Sequence, residues 1–298
     1  MKFMADKING IVYASQMRAK IKARIKDYMP KPHMAVVLVG DDAASQVYIR
    51  NKQKACAEVG IHSTLHTLPA IASQQEILNL INTLNNDATV NGILVQQPFP
   101  RGIDKNTIVS AVDPKKDVDC LHPYNLGLVA IGQAQFLPCT PGGIIELLKQ
   151  ESIDISGKHA VIIGRSDIVG KPLAFMLLNE NVTVTICHSK TQNLAQVCSQ
   201  ADILIAAVGK AKLITADFVK SGAVVIDVGI NRENGKLCGD VDYDNVFEKV
   251  SHITPVPGGV GPMTVAMLLE NCVSAWQQQR NENHIAPSFG AECGGKNV

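Results

Sequence analysis

A chain of 298 residues with 46% hydrophobic content carries enough apolar material for one large or two medium domains. Charged residues make up 18%, the formal net charge is +1, and no long like-charge run appears, which argues against nucleic acid or an anionic membrane surface as partner. The longest apolar runs are strand-sized rather than bilayer-spanning, and Met1-Lys2-Phe3-Met4-Ala5-Asp6 lacks the apolar core of a secretory leader, so a soluble cytoplasmic protein is expected.

In chain order, the first clear element is Ala35-Val36-Val37-Leu38-Val39-Gly40, a near-continuous apolar run of the kind found in strands buried on both faces. Asp41-Asp42 offers a helix N-cap, helical periodicity covers 43–59, and Gly60 ends it. A strand is expected near 61–68. A helix near 73–86 follows, with Ile77, Leu78, Leu80, Ile81 and Leu84 as its apolar positions. The strand Gly92–Gln96 then runs into Pro98 and Pro100, which cannot continue a ladder. Pro138-Cys139-Thr140-Pro141-Gly142-Gly143 reads as a domain boundary, with a helix from Gly143 to Gln150 bridging it.

The second half repeats the rhythm: a strand at 160–164, a helix at 170–179, a strand at 182–187, a helix near 191–200, a strand at 203–208, a helix near 215–221 and a strand at 223–228. This is a doubly wound unit. A helix from Met263 to about Gln279 is expected to return to the first domain, and the Asn- and Gly-rich tail 281–298 to be mobile. The predicted fold is α/β in two domains with a cleft between them. Residues 1–138 and 272–298 form a parallel-sheet domain, and 139–271 form a Rossmann-like dinucleotide-binding domain. The eight cysteines are scattered singly, as reduced core thiols are, and the eight histidines show no ligand spacing, so no metal is expected.

Chemistry concentrates in a few segments. Tyr48 and Lys52 are i and i+4 on a predicted helix and share a face, the arrangement of a surface contact or of a catalytic amine whose pKa burial has lowered. Gln96 lies at the carboxyl end of a predicted parallel strand, where such folds bind ligands, although a strand-end cap would look the same. Asp119 follows Lys115-Lys116 and reads either as a site carboxylate or as half of a surface ion pair. Gly164-Arg165-Ser166-Asp167-Ile168-Val169-Gly170 departs from GxGxxG. It sits between a strand and a helix, where free amides at the helix N-terminus are expected to face a pyrophosphate. The next strand ends in His188-Ser189-Lys190-Thr191 rather than in an acid. With Arg165 nearby, that favours the 2′-phosphate of NADP over NAD. Pro255-Val256-Pro257-Gly258-Gly259-Val260-Gly261-Pro262-Met263-Thr264 is a stiff loop before a helix, either ligand-facing or a hinge.

Together these motifs resemble, in the same order and over about residues 5–280, the bifunctional methylenetetrahydrofolate dehydrogenase/methenyltetrahydrofolate cyclohydrolase family. The resemblance implies oxidation of 5,10-methylenetetrahydrofolate with NADP, then hydrolysis of the methenyl product to 10-formyltetrahydrofolate, in purine-directed one-carbon metabolism. It makes the first domain the catalytic one and implies a homodimer. It assigns Lys52 as the catalytic lysine, Gln96 as its partner, Tyr48 as the ring stacked on the folate, and Asp119 as the pterin carboxylate. Val95 and Pro257-Gly258-Gly259 fall on the folate side, and Gly164, Arg165, Ser166, Ser189 and Ile230 on the cofactor side. Two positions depart from the family pattern: Cys120 stands where Gly is common, and Gln97 where an aliphatic residue is common. Two other readings stay open. One is an NADP-dependent dehydrogenase of a small hydroxy acid, which would need a carboxylate clamp such as Arg50 or Arg101. The other is a nucleotide-sensing protein without turnover.

Overall fold

The chain begins with β1 (Asp6–Lys7) and α1 (Gly10–Ile25), in a computed structural model that describes residues 5–285. Asn9 caps α1 by accepting from Val12 N at 3.4 Å. The apolar run near residue 35 becomes β2 (His33–Val39). It is followed by α2 (Ala43–Val59), β3 (His62–Leu68), α3 (Gln74–Asn86) and β4 (Gly92–Val95). The ends of α2 are those the sequence implies: Asp42 accepts from Ser45 N at 2.8 Å, and Gly60 closes the helix at φ +92°. Ser73 and Glu76 form a capping box on α3. The three strands make a parallel sheet in the order β3-β2-β4.

Two short helices, α4 (Lys105–Ser110) and α5 (Pro123–Ala130), lead to α6 (Cys139–Gln150). The second sheet then builds through β5 (His159–Ile163), α7 (Gly170–Asn179), β6 (Thr183–Cys187), α8 (Leu194–Cys198), β7 (Ile203–Ala206), a 3-10 turn at Ala216–Phe218, and β8 (Val224–Asp227). The chain closes with the hairpin β9 (Asn231–Glu233) and β10 (Lys236–Cys238), then α9 (Tyr243–Phe247), β11 (His252–Ile253) and α10 (Val260–Ile285). The sheet order is β1-β11-β8-β7-β5-β6, and every pairing in it is parallel. Strand order reverses at β5, so the crevice outside the carboxyl ends of β5 and β7 is the ligand position of such a sheet.

Several expected elements change. The helix near 191–200 shrinks to α8 because Asn193 sits in the left-handed region at φ 51°. The helix near 215–221 is one 3-10 turn, because Val219 is already extended. The returning helix is longer than expected and begins at Val260, so a division at residue 272 falls inside one continuous helix. Asp6–Lys7 joins the edge of the six-stranded sheet, not the first one. Of the tail expected to be mobile, 281–285 continue α10, and 286–298 lie outside the described residues.

One apolar cluster runs through both units. Val36, Leu38 and Leu94 of the first sheet and Ile162, Ile205 and Ile226 of the second belong to it, joined through Ile21 of α1, Ile144 and Leu147 of α6, and Leu269 and Val273 of α10. Separate clusters fill the outer face of each sheet. Gly10 is where α1 touches the loop before α10, since a Cβ there would overlap the Gly259 carbonyl oxygen. Gly10→Ala should therefore destabilise the protein by about 1–3 kcal/mol, the usual cost of overpacking. A midpoint in urea unchanged from wild type would show that the contact yields freely.

Candidate active site

Lys52 projects from the third turn of α2, and its Nζ donates to Gln96 Oε1 at 3.1 Å. Gln96 follows directly on β4, with its amide nitrogen bound to the Val37 carbonyl at 2.9 Å. Its side chain is oriented by its own neighbour, because Gln96 Nε2 donates to the Gln97 carbonyl at 2.6 Å. With the amide nitrogen so engaged, the amide oxygen is left to face the lysine. The contact to residue 97 is through backbone, so the departure from an aliphatic side chain there leaves the orientation of Gln96 intact. Lys52 and Gln96 are both half-buried. Tyr48, one turn earlier on the same face, is 41% exposed. Val95 is buried at the end of β4.

Asp119 reaches the same place from the segment after α4. Burial pushes the Cys139 thiol well up, the Asp119 carboxylate beside it pushes the same way, and the Lys52 ammonium opposes them. Those effects put Lys52, Asp119 and Cys139 within one cluster. Two residues ahead of Asp119, Asp117 accepts from His122 N at 2.8 Å, Leu121 N at 3.2 Å and Asn125 Nδ2 at 2.8 Å. Burial raises its pKa, and those three donors oppose the rise. Lys116 is equally structural: its ammonium donates to the carbonyls of Leu84, Asn85 and Asp87 at 3.1, 2.8 and 2.8 Å. Cys120 adopts φ 56°, the left-handed backbone that favours glycine. Its thiol donates to the Phe136 carbonyl at 3.3 Å, which gives the side chain a partner at that strained position.

The segment 255–264 leads into α10. Gly258 has φ +106° and lies against Ile11. Thr264, in the first turn of α10, shares a hydroxyl contact of 3.0 Å with Thr140 at the start of α6. That contact ties the Pro257-Gly258-Gly259 loop to the segment that bears Cys139. Arg50 and Arg101 are exposed.

The glycine turn occupies the switch point of the second sheet. Gly164 N donates to the Cys187 carbonyl at 2.9 Å, which sets the turn beside the end of β6. A Cβ on Gly164 would strike the Ala207 carbonyl, and one on Gly170 would strike that of Gly164, so both positions need glycine for close approach. The expected free amides at the start of α7 are partly occupied. Ser166 Oγ accepts from Val169 N at 3.2 Å and, weakly, from Gly170 N at 3.5 Å. Asp167 is paired with Lys171 at 2.6 Å, so its charge is answered locally. Arg165, Ser166, Ser189, Lys190 and Ile230 are exposed around the carboxyl ends of β5, β6 and β8. No acidic side chain stands at 188–191, which suits a ligand carrying a 2′-phosphate.

Sequence reasoning missed Cys139 and Asn271. Asn271 Nδ2 donates to the carbonyls of Val118 and Leu137, both at 2.8 Å, which holds the residue before Asp119 against α10. Its place on the apolar face of a helix was the only available signal.

Comparison with known proteins matches residues 8–119 to the catalytic domain of tetrahydrofolate dehydrogenase/cyclohydrolase, and residues 138–280 to the NAD(P)-binding domain of the same family. The chain is 54% identical to the bifunctional protein FolD of Agathobacter rectalis over 279 residues, covering 92% of this chain and 100% of that one. The bifunctional FolD structure from Campylobacter jejuni superposes with a TM-score of 0.90 at 48% identity, covering 92% and 99% of the two chains. The Trypanosoma brucei methylenetetrahydrofolate dehydrogenase-cyclohydrolase, solved with NADP cofactor and an inhibitor, superposes with a TM-score of 0.89 at 35% identity, covering 93% and 98%.

Proposed function

This chain belongs to the tetrahydrofolate dehydrogenase/cyclohydrolase family, and we propose that it oxidises 5,10-methylenetetrahydrofolate with NADP and hydrolyses the methenyl product to 10-formyltetrahydrofolate. The observation that carries the reading is the Lys52–Gln96 contact of 3.1 Å at the end of β4, inside a cluster that also holds Asp119.

In this reading Tyr48 offers its exposed ring to the folate aromatic system, Asp119 grips the pterin, and Val95 and Pro257-Gly258-Gly259 wall the pocket. Loss of hydride from the methylene carbon leaves a cation shared by two nitrogens, a step that requires alignment more than a strong base. NADP would supply the acceptor for that hydride. Gly164, Arg165, Ser166, Ser189 and Ile230 would hold it, with Arg165 and Ser189 toward the 2′-phosphate. Hydrolysis needs a base for the attacking water. Lys52, oriented by its bond to Gln96, is placed to take the proton of that water. Asp117 and Lys116 remain scaffolding.

We further infer a homodimer in the cytoplasm, supplying formyl groups for purine synthesis. β6 is the outer strand of its sheet, and the surface beside it carries Ile186 at 39%, Phe175 at 43% and Leu178 at 60% exposure, which supports self-association. Among the described residues no helix is long and apolar enough to cross a membrane, and seven cysteines are unpaired.

Purified protein given methylenetetrahydrofolate and NADP should form reduced cofactor and methenyl absorbance; no turnover with either dinucleotide refutes the proposal. Lys52→Met should lower hydrolysis by roughly 100-fold or more, in the range of a lost general base, while NADP still binds. Hydrolysis at the wild-type rate would remove Lys52 from the mechanism. Arg165→Ala should raise KM for NADP by roughly tenfold and leave KM for NAD nearly unchanged. Equal losses would dismiss the 2′-phosphate contact.

A further inference from the structure

The loops on the nucleotide side are tied together by a carboxylate that has no place in the motifs above. Asp240 is 0% exposed. Its Oδ2 accepts from Val208 N at 2.7 Å and Gly209 N at 3.0 Å. Its Oδ1 accepts from Lys210 N at 2.8 Å and from Asn231 Nδ2 at 2.9 Å. The first three donors belong to the loop after β7. The fourth, Asn231, lies one residue past Ile230 and opens β9, the element that follows β8.

Asp240 is itself placed by a second buried carboxylate. Asp227 Oδ1 accepts from Asp240 N and Gly229 N, and Oδ2 from Val241 N, all at 2.9 Å. Two glycines make room for the pair. A Cβ on Gly229 would run into the Asp240 carboxyl group, and one on Gly239 into that of Asp227. On its other side, the loop after β7 presents the Ala207 carbonyl to Gly164, where it fills the space a Cβ would need. One buried carboxylate therefore spans the ends of β7 and β8 and, through Ala207, the first glycine of the dinucleotide turn.

Successive backbone N–H groups in a turn form a concavity that binds anions. Here the anion is internal, and four donors offset the cost of burying it. A loop whose amides are already satisfied from within has its path set before a ligand arrives, which lowers the ordering cost of binding. We propose that Asp240 is a positioning residue of the dinucleotide site, holding Val208–Lys210 and the Ile230–Asn231 corner in the conformation that receives NADP. The proposal rests on the functional reading above and adds to it a residue that touches neither substrate nor cofactor.

Asp240→Asn turns an amide donor toward backbone donors, and Asn231→Ala removes one arm while leaving the buried carboxylate in place. Both are measured in the full chain for KM and kcat with NADP at saturating methylenetetrahydrofolate. Hydrolysis of methenyltetrahydrofolate without nucleotide, which needs only the Lys52 side of the crevice, serves as the internal reference. KM for NADP should rise by roughly tenfold or more in Asp240→Asn and by about threefold in Asn231→Ala, with kcat and hydrolysis within about twofold of wild type. Should Asp240→Asn fail to fold, Asn231→Ala decides the matter alone. An unchanged KM overturns the proposal, and so does a parallel fall of hydrolysis, which would mark a fold-wide role. A wild-type chain that does not turn over the folate undoes the functional reading instead.

Discussion

The close approach of α6 to α10 governs the geometry of everything that faces the crevice. A Cβ on Gly142 would come within 2.8 Å of Met267 Cε, and one on Gly143 within 2.9 Å of Met263 Cβ, so the two helices meet where α6 has no side chains. That contact brings the start of α6, with Cys139 and Thr140, against the start of α10, with Thr264 and the loop before it. Asn271 then fastens the backbone around Asp119 to the same helix. Farther along, Gln279 exchanges hydrogen bonds of 2.9 and 3.0 Å with Asn91, just ahead of β4. α10 thus runs from the Pro257-Gly258-Gly259 loop to the start of the strand that Gln96 follows. The apolar cluster joining both sheets is the energetic ground for this arrangement, since neither sheet buries its inner face without those helices.

The buried and the half-buried charges of this chain divide by work. Lys116, Asp117, Asp227 and Asp240 lie deep, and backbone groups take up most of their hydrogen-bonding capacity. Asp227 shows the tension in such a site. Burial pushes its pKa up to about 6, against the pull of backbone donors from Val241, Asp240 and Gly229. Lys52 and Asp119 are only half-buried, and Lys52 keeps capacity beyond its bond to Gln96. A charge whose partners come mostly from the backbone holds loops. A charge with unspent donors or lone pairs is free to meet a ligand.

Much of this was legible in the sequence because periodicity and caps are local. The apolar run of β2, the Asp42 and Gly60 ends of α2, and the alternation through β8 follow from neighbours in the chain. Lys52 is a candidate by helical spacing with Tyr48, Gln96 by its place at a strand's carboxyl end and Asp119 by its loop, but the roles that join the three rest on the resemblance. What escaped reading was non-local. β1 has two residues and no period of its own, and it exists because β11 offers an edge. Asp240 stands in Gly239-Asp240-Val241-Asp242, which reads as a polar turn. Its burial depends on amides some thirty residues earlier. Lys116 lies inside a motif with Asp119, yet its partners are carbonyls at the end of α3.

The placement of β1 bears on how the two halves can move. The polypeptide passes from the six-stranded sheet into α1, returns through α6, and passes over again in α10, so three traverses stitch the units together. All three are helical and share one apolar seam. A mouth bounded in that way does not swing wide on a single flexible joint. Packed helices of that kind belong to the shear rather than the hinge class of junction, and the glycines of α6 set how near the two backbones can come across it.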